Sequence, residues 1–438
     1  MSLTIGDFLT RIKRPISLNA ETDYKLVTIK MHHKGVILRG LKKGYDIKSK
    51  MFQVKEGDFI LSGIDARNGA FGIVPKELDN AIVTNDFWYF ELNKEIIDIH
   101  FFLELTSTDW FDNICRLGSD GTTQRIRLQK DKFFNQNIFL PPITEQKKFI
   151  NKFIKIKAVN YDLETEIENQ QDILTKLKQS ILQEAIEGKL TAKWREENQN
   201  IEPSSILLKK IKVEKAQLIK EKKIKKSKSL ANINENEMTF NLPNSWEWCR
   251  LGDSIYLANN LDIQKKLSPN EIVNYVDIDA VNNNTFKIDN IKTKPVKELS
   301  TRARRILKKD FIIYSTVRPY LNNMTIISEE KENFIGSTGF IVFKPIININ
   351  KYLFYYLLSP FINSYYLNLL SGFNSPSITN EDFYNTPFPL PPIEEQQEIL
   401  NKIEKLFNIC DKIEEQINSS KKNTQTLMQS VLKEAFEN

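Results

Sequence analysis

Two short stretches of this chain concentrate cationic side chains. Lys30 to Lys50, KMHHKGVILRGLKKGYDIKSK, holds seven Lys or Arg against one Asp, and Lys287 to Lys309, KIDNIKTKPVKELSTRARRILKK, holds nine against two acidic residues. Clustered Lys and Arg supply phosphate contacts on a duplex, while Arg, Asn and Gln can read base edges in the major groove. Each stretch precedes a similar strand-like run, VKEGDFILS at Val54 and LKKDFIIYS at Leu307, so the same basic surface is expected in the same place twice. Just downstream, IDARNG at Ile64 and TVRPYLNN at Thr316 align Arg67 with Arg318. The residues expected to face DNA are Arg39, Lys42, Lys43 and Lys50 in the first half, and Arg302, Arg304, Arg305 and Lys308 in the second. Arg67, Asn68, Arg318, Tyr320 and Asn322 are the candidates for the loops closest to the groove.

Groups for bond-breaking chemistry are not apparent. The prolines of LPPI at Leu140 and Leu390 follow Leu and precede no aromatic residue, unlike the Asn-Pro-Pro-aromatic motif of an amino-methyltransferase. Neither a G-x-G cofactor loop nor a GxxxxGK[ST] phosphate loop occurs. His32 and His33 stand alone in a basic stretch, which favours a surface or DNA-facing role over a metal site. Glu329 and Glu330 read as loop charges, and no catalytic or metal-binding set is assigned. Cys115, Cys249 and Cys410 are too widely spaced for a metal knuckle or a disulfide framework, which fits a reducing compartment. No run of about 18 apolar residues suits a membrane span. A soluble, cytoplasmic protein is expected. The net charge of +6 is mild, so its placement carries the argument.

The elements that would position these cations show in an internal repeat. LPPITEQ at Leu140 returns as LPPIEEQ at Leu390, and Leu140 to Glu187 aligns without a gap on Leu390 to Glu437. A Pro-Pro pair holds the backbone extended, and the Glu-Gln after it suits a first helical turn. Phe149, Phe153, Ile156, Asn160, Leu163, Ile167, Gln170, Leu174, Leu177 and Ile181 then recur at steps of four and three. The same spacing carries Ile399, Ile403, Leu406, Cys410, Ile413, Ile417, Ser420, Thr424, Leu427 and Val431, which is a coiled-coil seam in both copies. A homodimer stalk is the plain alternative. Two matched helices in one chain favour antiparallel pairing with each other about a pseudo-two-fold axis.

The segments before each LPP open with TIGDFL at Thr4 and RLGDSI at Arg250 and read as β-rich heads with a few short helices. One apolar core helix is expected at KYLFYYLLSPFINSYYLNLL from Lys351, and its counterpart at DIHFFLELTSTDWFDNICRL from Asp98. Lys209 to Lys228 carries ten lysines against two glutamates and is expected to be a solvated helical linker with incidental phosphate contacts.

The order of head, LPPITEQ, heptad helix, GKLTAKWR, Lys-rich linker, LPNSWEW leading into LGD, second head, LPPIEEQ and second helix resembles the specificity subunit of Type I restriction-modification systems over essentially the whole chain. The first head departs from the pattern in lacking the LPNSWEW lead-in. The resemblance implies an α+β fold of two mixed, β-rich target recognition domains joined by two long antiparallel coiled-coil helices. The expected bounds are 1–142 and 241–392 for the recognition domains, 143–190 and 393–438 for the spacer helices, and 191–240 for the linker. It further implies a non-catalytic chain that reads an interrupted site in double-stranded DNA and docks two copies of a methyltransferase subunit. A restriction subunit with helicase and nuclease activity joins them, with S-adenosylmethionine, ATP and Mg on those partners and no cofactor in this chain. Against this stand a self-contained methyltransferase or nuclease, and a coiled-coil scaffold whose heads bind proteins.

Overall fold

The computed structural model describes residues 3–120, 126–226, 229–372 and 374–436. The chain divides into two compact units, the first made of Met1–Glu168 with Asn418–Asn438 and the second of Asn169–Ile417.

The first unit begins with β1 (Leu3–Thr4), the single helical turn α1 (Ile5–Phe8), β2 (Leu9–Ile12) and β3 (Pro15–Ile16). The hairpin of β4 (Asp23–Ile29) and β5 (Val36–Lys43) follows, then β6 (Met51–Gln53), β7 (Phe59–Ser62), β8 (Phe71–Ile73), β9 (Ile82–Val83) and β10 (Phe87–Leu92). Next come α2 (Ile99–Thr106), α3 (Asp109–Leu117), the short pair β11 (Ser119–Asp120) and β12 (Arg127–Leu128), α4 (Lys130–Phe134), β13 (Asn137–Ile138) and the long α5 (Ile143–Ile186). One sheet has the order β2-β10-β7-β8, the other β3-β6-β9-β4-β5, and β1 pairs with β13 beside the LPP junction. The first sheet packs against α2 and α3 through Phe8, Phe59, Phe71, Phe102 and Phe111, whose rings meet largely edge to face.

In the second unit α6 (Ala192–Glu197) and α7 (Ser204–Lys220) lead into β14 (Glu247–Arg250), the turn α8 (Leu251–Ser254), β15 (Ile255–Leu257), α9 (Ile263–Lys266), β16 (Ile272–Val276), β17 (Lys292–Pro295) and β18 (Ala303–Ile306). After them come β19 (Ile312–Ser315), β20 (Met324–Ile326), β21 (Phe334–Ser337), β22 (Phe340–Pro345), α10 (Asn350–Leu357), α11 (Pro360–Leu367), α12 (Asn380–Tyr384), β23 (Pro387–Leu390) and α13 (Ile393–Phe436). The order β15-β22-β19-β20 and the pair β14-β23 repeat those of the first unit, and β17-β16-β21-β18 repeats β5-β4-β9-β6 without a counterpart of β3, including one parallel pairing, β4 with β9 and β16 with β21. The repeat makes β17 the equivalent of β5, and β18 the equivalent of β6.

Three expectations need correction. Each apolar stretch taken as one helix is two. Pro360 has no N–H to continue α10, and in the first unit the chain turns extended at Thr108 between α2 and α3. The linker is also not simply solvated: Leu207 and Ile211 of α7 are buried, and Lys215 donates to the carbonyls of Gly252 and Ile255. The coiled-coil seam is only half buried. Gln146, Phe153, Asn160, Ile167, Leu174 and Ile181 lie inside at steps of seven, as do Gln396, Ile403, Cys410, Ile417 and Thr424 in α13. The second line of the seam is covered only next to the heads, where Ile399 is buried and Phe149, Ile156 and Leu406 are half-buried; further along, Leu163 is 44%, Leu177 43%, Ile413 37% and Leu427 51% exposed. Two helices facing each other along one narrow seam cannot cover both lines.

The pairing is antiparallel. Within the second unit, Lys178 of α5 donates to Asp411 (3.0 Å) and Glu414 (2.8 Å), while the later Leu190 carbonyl accepts from the earlier Lys402 (2.8 Å). At 44 residues, each long helix extends roughly 66 Å. The fold is α+β, two mixed β-rich domains with a pair of long antiparallel helices.

Candidate nucleic-acid interface

Each head is fixed to its helix by the repeated phrase. The Gln146 amide donates to the carbonyls of Pro141 (2.8 Å) and Ile96 (2.9 Å) and accepts the Asp98 N–H (2.9 Å). Gln396 repeats the proline bond, to Pro391 (2.9 Å). In the second unit the glutamate beside it joins in. Glu395 is fully buried and accepts from the Arg195 Nε (3.0 Å) and Nη2 (2.8 Å), the Thr191 hydroxyl (2.7 Å) and the Trp246 indole (2.8 Å). GKLTAKWR, LPNSWEW and LPPIEEQ, far apart in sequence, thus meet at one carboxylate. Arg250 ties down the lead-in, pairing with Glu237 (2.7 Å) and donating to the carbonyls of Ala231, Asn232 and Asn385. Its hydrogen bonds hold the Glu237 carboxyl below the ordinary carboxylate range.

On this base each head presents a tight turn between the second and third strands of matching sheet pairs. In the first, Ala66–Asn68 forms one 3-10 turn after β7, closed by Gly69 at φ 73°. The hairpin tip between β4 and β5 clasps it: the N–H of His32 donates to Asn68 O (2.8 Å), and that of His33 to Gly69 O (3.0 Å). Both histidines take left-handed backbone to do so, and the His33 ring lies 3.3 Å from Asp112 and edge-on to Phe71. In the second head Pro319–Leu321 forms the same turn after β19, closed by Asn322 at φ 54°. Here Arg318 also takes left-handed backbone, its N–H donating to Pro376 O (2.8 Å) and its Nη2 to Asn374 O (3.3 Å). Asn323 donates to Val281 O (2.7 Å), and Asn283 to Leu321 O (3.1 Å). Counted from Ser62 and Ser315, Arg67 is the equivalent of Tyr320, and Arg318 that of Asp65. The sequence pairing of Arg67 with Arg318 is therefore two residues out of register.

The cationic clusters do not occupy equivalent places. Arg39, Lys42 and Lys43 lie on β5, an edge strand, with Arg39 and Lys42 exposed and Lys43 paired with Asp23 (3.1 Å). Lys50 is exposed just before β6. At about 3.3 Å per residue, Arg39 lies roughly 13 Å and Lys43 roughly 26 Å along the hairpin from Gly35 at its tip. The hairpin thus joins the Arg67 turn to His32 and His33 and carries its lysines away from it. In the second head the cluster lies on β18, across the sheet from β17. Arg302 and Arg304 are exposed, Arg304 sits at a β-bulge, Lys308 is exposed beyond the strand, and Arg305 is half buried. The strand equivalent to β5 carries Lys292 and Lys294, which the sequence reading counted in the basic stretch but did not select. Lys292 is paired with Asp279 (2.9 Å), and Lys294 is exposed. Leu38 and Leu41 of β5 and Tyr45 in the turn after it are exposed beside these cations, and ILRGLKK lacks the alternation of a strand with one covered face.

Among the described residues, no cluster of three or more His, Cys, Asp or Glu is arranged to hold a metal ion, and no helix is long and apolar enough to cross a membrane. The Type I restriction modification DNA specificity domain matches residues 2–185 and 243–420. The chain is 29% identical over 264 residues to the Type I restriction enzyme EcoAI specificity subunit of Escherichia coli, and 26% identical over 364 residues to the EcoEI specificity subunit. These matches span 59% and 68% of this chain, and 44% and 58% of those relatives. The crystal structure of the HsdS subunit from Thermoanaerobacter tengcongensis superposes with a TM-score of 0.55 at 17% identity, covering 100% of this chain and 96% of that one. The chain belongs to the family of Type I restriction-modification specificity subunits, with two copies of the DNA specificity domain.

Proposed function

We propose that this chain reads an interrupted site in double-stranded DNA, one short half-site per head, and supplies sequence choice without catalysis. The observation that carries the reading is the pair of clasped turns, Ala66–Asn68 and Pro319–Leu321, at the same position of the same sheet order with different side chains. A shared scaffold with unlike reading residues is what a site of two different halves requires. Arg67, Asn68, Tyr320 and Asn322 act nearest the groove. Arg39, Lys42, Lys43, Lys50, Arg302, Arg304 and Lys308 hold phosphates, with Arg318 supporting its own turn and Arg305 set back from the surface.

Two copies of a methyltransferase subunit dock on the spacer helices. Exposed apolar residues of the seam, Leu163 and Leu427 in the first unit and Leu177 and Ile413 in the second, are the surfaces this reading assigns to docking. A restriction subunit joins this assembly, and S-adenosylmethionine, ATP and Mg act on the partners. The test is single-molecule methylation mapping of the host genome with the gene intact and deleted. Loss of one motif of two short halves with a fixed gap is expected on deletion; an unchanged methylation pattern in an otherwise active system overturns the reading.

A further inference from the structure

Three buried or half-buried arginines have a carboxylate close by: Arg14 with Asp58 at 2.6 Å, Arg195 with Glu395 at 2.8 Å and Arg250 with Glu237 at 2.7 Å. Arg305 of β18 does not. Its Nη1 donates to the Asn260 side chain (2.7 Å), and its Nε is buried without a hydrogen-bond partner among the described residues. Burial draws its guanidinium below the ordinary arginine range, with no carboxylate to offset it. An incompletely satisfied cation in such a position is costly unless an anion meets it.

Arg305 lines a cavity of about 640 Å³ in the second unit. Lys225 and Lys226, the end of the Lys-rich linker, line it as well and are exposed. Among the described lining residues, Glu381 is the one carboxylate against these three cations. Tyr256 and Tyr384 form walls of the same cavity; the Tyr256 ring is braced edge-on by Phe311, and the Tyr384 ring has the Lys215 ammonium 6.0 Å from its centre. Convergent cations beside fixed aromatic rings are the chemistry that holds a phosphate and stacks a base, and the volume is that of small-ligand pockets.

We propose that this cavity binds a nucleotide, with the phosphate against Arg305, Lys225 and Lys226 and the base against the tyrosine walls. The nucleotide comes either from a DNA strand or from the free pool. This goes beyond recognition of a duplex by the two turns and stands or falls apart from it. The test is calorimetric titration of the full chain with adenosine 5′-monophosphate, alone and in the presence of a short single-stranded oligonucleotide, with inorganic phosphate and adenosine titrated separately. Saturable binding of one adenosine 5′-monophosphate per chain is expected, about tenfold or more tighter than phosphate or adenosine. Arg305→Gln should weaken it by at least about tenfold. The surface double variant Lys225→Gln/Lys226→Gln, which removes no buried contact, should do the same. Displacement by the oligonucleotide assigns the cavity to a strand nucleotide, and indifference to it assigns the cavity to a free one; both uphold the proposal. No binding, binding of phosphate as tight as that of the mononucleotide, or binding unchanged in the lysine double variant overturns it.

Discussion

At Gln146 and Gln396 the two junctions are alike, since each amide is buried and donates to the proline carbonyl five residues earlier. One residue before, they part. Glu395 is buried at the meeting point of Thr191, Arg195 and Trp246, while Glu145 is exposed at the start of α5. The glutamine serves a local need, satisfying backbone groups where an extended segment enters a helix. The glutamate serves a distant one, and its burial depends on segments that lie beside the second head. A repeated phrase thus marks a shared glutamine-to-proline bond at the helix start but not a shared set of long-range contacts.

The strongest test of this contrast is stability. Glu395→Ala leaves Arg195 beside the buried site without its counter-charge and is expected to destabilise the fold by about 3–5 kcal/mol. Glu145→Ala should stay within about 0.5 kcal/mol. Urea unfolding of both variants measures the difference, and equal effects would remove the distinction between the junctions. The reading turns extend the comparison to the heads. Arg67→Ala and Tyr320→Ala should each weaken the cognate complex by about 1–3 kcal/mol and relax only one half-site. Selection from randomised duplexes would show this; loss of both halves from either variant would mean that the turns do not read separately.

Within the first head, Lys42→Gln should lower affinity for all sequences alike and reduce the slope of log affinity against log salt by about one. Lys43→Gln should do less, because Asp23 already neutralises that ammonium. Equal slopes for the two variants would mean that the Asp23 pair does not weaken the Lys43 contact with phosphate. The smallest effect is one of pH. Hydrogen bonds from Arg250 lower the Glu237 pKa in the folded state, so its stabilisation is complete above the unfolded carboxyl range and is lost as pH falls through the folded value. The Tm difference between the native chain and Glu237→Gln should therefore be constant from neutral pH to about 5 and shrink below it. A difference that grows on acidification would contradict this assignment.

The repeat and the line of inward residues were legible because helical period and register survive in sequence, down to Asn160 and Cys410 on the same buried line. The strands were less so. β9 inserts between β4 and β6 in space, and β21 between β16 and β18, so linear order does not tell which edge a charge occupies. Counting cations therefore matched β5 with β18 when its partner is β17. The Arg67 and Arg318 pairing failed for a related reason: two arginines were aligned by type, whereas the position that closes each turn is Gly69 in one and Asn322 in the other, both left-handed. The half-buried seam was invisible because a heptad pattern records which residues are apolar and not how many helices cover them.

The most direct measurement is methylation mapping of a host in which residues 243–390 of this chain are replaced by the corresponding region of a relative, with the remainder unchanged. One half of the methylated motif should change while the other half stays as it was. Both halves changing together, or neither changing in a complex that still methylates, would contradict the claim that each head reads its own half-site.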